Sequence, residues 1–282
     1  MDIFVDLTKV LVVTAIMISA CVSDWRKREV SEMHWALMGG AGMVFVALYG
    51  GCDIWARAMV VFGMALMLFD ILVDREVGAR QQSLIYFGIA LLFLVPILMS
   101  GWCIRVIAVP ILFNYFLINA LYSSELMKGG ADAACLIAMG LVFQCYPDLG
   151  VIPLIKSELG IYNAMYVFPL FVLMAALIIT AVIMLAYFAA LNIRRRDIGT
   201  MMFFGYKMDL DEVQERMVWP MQDFVGGKLV TAHGAVNDPA ALERLRDAGE
   251  VRIWVTPKIP FLIPVLAGFL FMVIIGNPLF IL

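Results

Sequence analysis

Two aspartates stand where apolar sequence meets polar sequence, and two side chains of this type can do acid–base chemistry together. Asp24 follows the first long apolar run, and Asp132 opens a later one behind Gly129-Gly130-Ala131. Two carboxyl groups in contact cannot easily both ionise, so one of them keeps its proton. The ionised group can take a proton from water while the protonated group polarises a carbonyl, and the pair titrates as a unit. This is the chemistry of an aspartic protease dyad.

The composition of the chain indicates what kind of element must position these acids. Of the 282 residues, 63% are apolar and 15% are charged, whereas an average soluble protein is about 45–50% apolar. This excludes a soluble globular domain and a disordered chain, and a net charge of −3 argues against a nucleic-acid-binding protein. Long unbroken apolar runs favour helices over the alternating strands of an outer-membrane barrel. We therefore predict an all-α polytopic membrane protein.

Eight apolar runs reach or approach the roughly 20 residues that a helix needs to cross the membrane core. The predicted spans are 4–23, 33–50, 55–73, 82–99, 102–122, 131–147, 162–191 and 259–281. Lys and Arg concentrate after the first, third, fifth and seventh spans. Because cytoplasmic loops carry the excess of these residues, we predict both termini outside and both Asp24 and Asp132 at the cytoplasmic face.

Residues 193–258 differ from the rest of the chain because they carry ten basic and ten acidic residues. Within them, 239–249 is predicted as a short helix capped by Asp238, and the alternation over 250–255 predicts a strand. Residues 208–224 resemble an amphipathic helix lying along the membrane surface. We predict a small α+β cytoplasmic domain inserted before the last helix. The predicted domains are 1–192 (membrane core), 193–258 (cytoplasmic domain) and 259–282 (last helix).

The other residue types that carry chemistry show no comparable pattern. The five cysteines lack Cys-x-x-Cys spacing and are interpreted as small buried hydrophobic residues without a redox role. The two histidines, His34 and His233, lie far apart, so no metal site is predicted. Asn114 and Asn119 lie within an apolar run and can form hydrogen bonds between helices.

Short segments around both aspartates, and two more in the tail, match the motifs of a known family. They are Ser23-Asp24-Trp25-Arg26-Lys27-Arg28-Glu29-Val30, Gly129-Gly130-Ala131-Asp132-Ala133, 202–208 and 253–260. The first two resemble the archaeal preflagellin and prepilin peptidases, membrane aspartic proteases named for a Gly-x-Gly-Asp motif. The tail segments are similar to the soluble insert and the last helix of the preflagellin peptidases.

The resemblance implies an activity, a substrate and a site. The activity is cleavage of the short basic leader of preflagellins and type IV pilin-like precursors, on the cytoplasmic side and just before the hydrophobic helix of the substrate. Asp24 and Asp132 would be the catalytic pair, with Gly129, Gly130 and Ala131 as backbone support. The family needs no metal or organic cofactor, and its partners are the precursor and the bilayer. The oligomeric state is left open.

Three positions depart from the family pattern. Ala131 replaces the second motif glycine, and Ala134 stands where many relatives carry a Lys that could act as a charge partner for the dyad. The spacing between the two aspartates leaves room for two additional spans within 55–122, to which the resemblance assigns no role.

Other acids and other functions stay open at this point. Asp70, near the end of the third span, is interpreted mainly as a paired end residue, whereas Glu125 and the acidic residues of 209–223 are candidates for binding a basic leader. A proton-coupled transporter is an alternative, but it would need carboxylates nearer the bilayer midplane and usually repeated halves. A presenilin-type protease would carry Tyr-Asp and Pro-Ala-Leu, and neither string occurs.

Overall fold

The computed structural model describes residues 3–73, 79–127, 129–156, 167–232, 234–236, 238 and 240–281. The described chain is mostly helical, with a small β-sheet region near the C terminus. It divides into two compact units. Met1–Leu177 with Pro260–Leu282 form what we name the helical unit, and Ile178–Ile259 form the sheet unit. That residues 193–258 are a separate cytoplasmic domain stays a prediction.

Seven apolar helices precede the sheet region. They are α1 (Ile3–Lys27), α2 (Met33–Tyr49), α3 (Ile54–Leu72), α4 (Ala79–Met99), α5 (Trp102–Ser123), α6 (Gly130–Val142) and α7 (Phe168–Arg195). Of these, α1, α3, α4, α5 and α7 are long and apolar enough to cross a membrane. The prediction of membrane helices is confirmed at this coarser level, although residues 162–166 of the seventh predicted span lie outside the described residues.

The sheet unit combines two small antiparallel sheets with short helices. Its elements are β1 (Tyr206–Asp209), α8 (Leu210–Val213), β2 (Val218–Pro220), β3 (Gln222–Val225), β4 (Lys228–Thr231), α9 (Ala241–Asp247) and β5 (Arg252–Pro257). Strand β5 lies between β1 and β2, and β3 pairs with β4. The turn between β3 and β4 contains Gly226 and Gly227 with φ of 59° and 78°, the left-handed values that a two-residue hairpin turn requires.

The secondary structure of this unit tests three of the local predictions. The strand predicted over 250–255 is confirmed by β5, and the helix predicted over 239–249 is confirmed by α9. Asp238 accepts the backbone N–H of Ala240 at 3.0 Å, ahead of the helix. The amphipathic helix predicted over 208–224 is wrong, because only Leu210–Val213 is helical and strands β1, β2 and β3 take up much of the rest, with their backbone groups paired to other strands.

The chain then returns to the helical unit through α10 (Leu262–Ile274). A helix therefore lies at each of the eight predicted spans, but α2, α6 and α10 have 17, 13 and 13 residues and fall short of a full span. The predicted count of eight transmembrane helices is therefore not confirmed.

The short helix α6 is enclosed by other helices, and every residue from Ala133 to Val142 is buried. A methyl group added to Gly42 of α2 would lie 2.5 Å from the carbonyl oxygen of Leu141, so the missing side chain lets the two backbones approach closely. From the other side, Asn114 of α5 donates a hydrogen bond to the carbonyl of Leu136 at 3.1 Å. This confirms the predicted interhelical role of Asn114. The apolar side chains of a helix that is surrounded by protein contact other helices instead of lipid, so such a helix does not need the length of a full span.

A disulfide bond joins Cys52, which follows α2, to Cys103 at the start of α5. Because α2 runs away from the end of α1 that carries Asp24, this bond lies at the opposite end of the helical unit. The interpretation of every cysteine as an unpaired hydrophobic residue is wrong for these two. They lie 51 residues apart, and such a separation leaves no local spacing motif.

Candidate functional site

Asp132 lies in the first turn of α6, and its carboxylate folds back over Gly129. Gly129 is extended, with φ of −91° and ψ of 110°, and a methyl group on it would overlap Oδ2 of Asp132. A methyl group on Gly130 would meet nothing nearer than the hydroxyl oxygen of Tyr122 at 3.5 Å. The Asp132 carboxylate can therefore occupy this position only if residue 129 is a glycine. Residue 130 has room for a larger side chain.

Asp24 reaches the same end of the helical unit because α1 packs against α6. The thiol of Cys135, one turn after Asp132, lies 3.2 Å from Sδ of Met17 on α1. Since α1 ends and α6 begins at this end, Asp24 and Asp132 belong to the same end of the helical unit and interact electrostatically. Both residues are half-buried. Two acids that come into direct contact can share a proton and divide the roles of acid and base between them.

Asp24 can also be interpreted from the sequence as a boundary residue paired with Arg26 or Arg28, and the ion pairs of the structure bear on that interpretation. Among the described residues, Asp24 forms no salt bridge with Arg26 or Arg28. Those residues also contain no group of three or more His, Cys, Asp or Glu side chains that could hold a metal ion.

An apolar cavity of about 460 Å³ opens at Asp132. Its walls come from the end of α5, the α5–α6 connection, α7 and the residue before α10, and Asp132 is its one charged lining residue among those described. The apolar lining residues are Leu121, Leu126, Met127, Leu173, Leu177 and Phe261. A cavity of this kind can hold aliphatic side chains beside a carboxylate.

A second cavity, the polar cavity, lies on the other side of the first turn of α6, with a volume of about 540 Å³. Gly130 and Ala131 line it, together with polar side chains from α3, α4 and α5. The polar lining residues are Glu32, which precedes α2, and Asp70, Gln82, Tyr86, Asn119, Tyr122 and Ser123. Asp70 accepts a hydrogen bond from the hydroxyl of Tyr115 at 2.6 Å.

The sequence singled out Asp70 but missed its neighbours in this cavity. Tyr115 is 45 residues from Asp70, and Glu32 and Gln82 come from other elements, so no spacing pattern connects them. Asn119 donates to the carbonyl of Tyr115 in its own helix at 3.0 Å, which is a bond within a helix instead of the predicted bond between helices. The one sequence signal that pointed to this cavity was Asp70 itself, an acidic residue near the end of the apolar run over 55–73.

The other acids that were candidates for leader binding have different surroundings. Glu125 is exposed in the turn after α5 and lines neither cavity. In the sheet unit, Arg244 lies 2.6 Å from Asp223 and lowers the pKa of that carboxyl. Three more acids of the 209–223 stretch face arginines, in the pairs Asp209–Arg252, Asp211–Arg246 and Glu212–Arg216. This pairing weakens the hypothesis that the stretch attracts a basic peptide.

One comparison with known proteins bears on the same chain. Residues 199–277 match the family model described as Archaeal Peptidase A24 C-terminus Type II. The matched segment covers much of the sheet unit and all of α10, and it includes neither Asp24 nor Asp132. No curated protein matches the chain. The family match supports a protein of the prepilin or preflagellin peptidase type.

Proposed function

We propose that this chain is a membrane aspartic endopeptidase that removes the short basic leader from preflagellins or type IV pilin-like precursors. The observation that carries the proposal is the half-buried Asp132 at the start of α6, open to an apolar cavity and within electrostatic reach of Asp24. The match of residues 199–277 to a peptidase A24 family model supports the same assignment independently.

In the proposed reaction, Asp24 and Asp132 hold one proton between them when substrate binds. The ionised carboxylate takes a proton from a water molecule, and the water oxygen attacks the carbonyl carbon of the scissile peptide. The protonated carboxyl donates its proton to the carbonyl oxygen as negative charge develops there. As the tetrahedral gem-diol collapses, the C–N bond breaks and the proton taken from water passes to the leaving amine. One hydroxyl of the gem-diol returns its proton to the other carboxylate, so the pair again holds one proton. The apolar cavity fits the hydrophobic segment that follows the cleaved bond.

The proposed reaction takes place at the cytoplasmic face. The excess of Lys and Arg in the odd-to-even loops supports this orientation. The disulfide between Cys52 and Cys103, at the end away from Asp24, supports it as well, because disulfides persist in oxidising compartments and are rare in the reducing cytosol. Both arguments support a position of the aspartates on the side of the membrane where precursors are made.

The proposal is tested by cleavage of a precursor in membranes that contain the full chain. Asp24→Asn and Asp132→Asn keep the size of each side chain and remove its charge, and we expect each to lower the cleavage rate at least about a thousandfold. Asp53→Asn, at an exposed position before α3, is the matched control and should cleave at the rate of the unsubstituted chain. Substantial cleavage by either active-site variant contradicts the proposal.

A further inference from the structure

A further cavity, which we name the basic cavity, lies within the sheet unit and has a volume of about 570 Å³. Its walls come from the last turns of α7, from β1, from α8 with the residues that follow it, and from β5. Its charged lining residues among those described are the basic Arg195, Lys207, Arg216 and Arg252 and the acidic Asp209 and Glu212. Because basic residues outnumber acidic ones in this lining, the cavity favours an anionic ligand.

The ion pairs of the basic cavity show which of its cations can receive an anion. The basic lining residues other than Arg195 each face a carboxylate, in the pairs Arg252–Asp209, Arg216–Glu212 and Lys207–Asp197. Among the described residues, Arg195 pairs with no carboxylate. Its Nη1 donates to the carbonyl of Lys207 at 3.3 Å, and its Cζ lies 5.8 Å from the centroid of the Tyr206 ring. An anion in the cavity can therefore pair with Arg195 without displacing a carboxylate of the described chain.

Two tyrosine hydroxyls accompany Arg195 in the lining of the basic cavity. They belong to Tyr187 of α7 and Tyr206 of β1. Tyr206 interacts electrostatically with Tyr187 and with the guanidinium groups of Arg195 and Arg216. Phosphate oxygens accept hydrogen bonds from hydroxyl groups, and they accept charge-assisted, often bidentate hydrogen bonds from a guanidinium group. This set of donors is therefore suited to a phosphate group.

The position of the basic cavity along α7 indicates where such a phosphate comes from. Helix α7 is long and apolar enough to cross a membrane, and the exposed apolar residues that precede the cavity on it include Val182, Ile183 and Leu185. In a membrane, such side chains contact lipid chains. Tyrosine is enriched at the membrane–water interface, and basic side chains near a helix end extend towards it. A lipid beside α7 would therefore carry its phosphate at the level of Tyr187 and Arg195.

We propose that the basic cavity binds the phosphate of an anionic membrane lipid, with Arg195 as its principal ligand and the hydroxyls of Tyr187 and Tyr206 as further donors. This inference does not depend on the proposed function, because none of these residues belongs to the candidate catalytic pair or lines the apolar cavity. It gives a binding role to the basic end of α7, which the sequence used only as evidence of orientation.

The test measures lipid binding to the full chain in a neutral detergent by native mass spectrometry. The anionic probe is phosphatidylglycerol, and the zwitterionic probe is phosphatidylcholine. We expect phosphatidylglycerol to bind at least about fivefold more tightly, because phosphatidylcholine brings a positive charge of its own to the cavity. Arg195→Gln should weaken the binding of phosphatidylglycerol about fivefold and bring the ratio of the two dissociation constants close to one. An unchanged ratio in folded Arg195→Gln overturns the site.

The matched control is Arg194→Gln, which removes the same charge from an exposed neighbour outside the described lining of the basic cavity. It should change the ratio by less than about twofold. Equal losses in Arg194→Gln and Arg195→Gln overturn the site, because the lipid would then be attracted by a basic surface instead of a cavity. If Arg195→Gln does not fold, Arg216→Gln takes its place. It should lower the ratio because it leaves Glu212 without its arginine, and an unchanged ratio in that variant overturns the site.

A competition experiment distinguishes a lipid phosphate from a soluble one. Inorganic phosphate is added in large excess to the unsubstituted chain with phosphatidylglycerol bound. We expect the lipid to stay bound, because its apolar chains contact the surface of α7 and inorganic phosphate has no such contact. Displacement of the lipid by inorganic phosphate would assign the basic cavity to a soluble phosphate and overturn the lipid site.

Discussion

Helix α1 carries an aspartate near each end, and the surroundings of the two differ. Asp6 is 2% exposed, its Oδ1 lies 3.8 Å from Nζ of Lys9, and its Oδ2 accepts the backbone N–H of Asp148 at 3.1 Å. Asp24 is half-buried and interacts with a second acid, Asp132, beside a cavity. The two sets of surroundings indicate that a carboxylate can have two different roles in an apolar helix bundle. We infer that the enclosed acid with a cation beside it serves packing, whereas the half-buried acid near a second acid is the one that the proposed function uses.

The largest effect on stability is expected at Asp6. Asp6→Asn removes the negative charge that lies 3.8 Å from the buried Nζ of Lys9, and breaking a buried pair from one side costs about 3–5 kcal/mol of folding free energy. Asp24→Asn should leave the unfolding temperature nearly unchanged. Thermal unfolding of the full chain in detergent measures both. The double variant Asp6→Asn/Lys9→Met should recover most of the loss, and failure to recover it would show that Lys9 is not the reason for the destabilisation.

A smaller effect, on activity instead of stability, is expected at the glycines before Asp132. Gly129→Ala forces the carboxylate of Asp132 away from its position, because the new methyl group would overlap it. Misplacing a reacting group by about 1 Å costs on the order of a hundredfold in rate. Gly130→Ala, where the space is open, is the matched control and should stay within about twofold of the unsubstituted rate, since Ala also suits a helix start. Equal losses in both variants would contradict the steric account.

The smallest effect on stability is expected at Asp223 of the sheet unit, which is neither a buried acid like Asp6 nor part of the candidate site. Arg244 lowers its pKa in the folded state, so its contribution to stability is present above the unfolded pKa of about 3.9 and is lost as pH falls through the lower folded value. Asp223→Asn should therefore make the sheet unit easier to unfold at pH 7, and the difference from the unsubstituted unit should disappear once the pH lies below the lowered pKa of Asp223. Hydrogen exchange of β3 at both pH values measures this. A difference that persists at the lower pH would assign the effect to packing.

The positions of the helices could be predicted from the sequence because burial in lipid and burial in protein select the same apolar residues. The same fact explains why the span predicted at α6 is not confirmed. Its apolar run over 131–147 reads as a span, yet the helix ends at Val142 inside a shell of other helices. Hydropathy measures how apolar a segment is, and it does not distinguish lipid from protein as the neighbour.

The parts of the candidate site that the sequence missed depend on contacts between distant residues. Asp24, Asp132 and the glycines before α6 stand in local motifs. By contrast, the hydrogen bond from Tyr115 to Asp70 and the disulfide between Cys52 and Cys103 join separate helices, and nothing in either neighbourhood marks the partner. The helix prediction for residues 208–224 was wrong for a related reason, since the strands in this segment are stabilised by pairing with residues elsewhere in the chain.

The most direct test of the central claim is a double-mutant cycle on Asp24 and Asp132, measured as the rate of precursor cleavage per folded molecule. If the two carboxylates act as one unit, Asp24→Asn, Asp132→Asn and the double variant should all lose activity to about the same extent, because the second substitution removes nothing that the first has left working. Losses that multiply in the double variant would contradict the account, since each carboxylate would then contribute independently of the other.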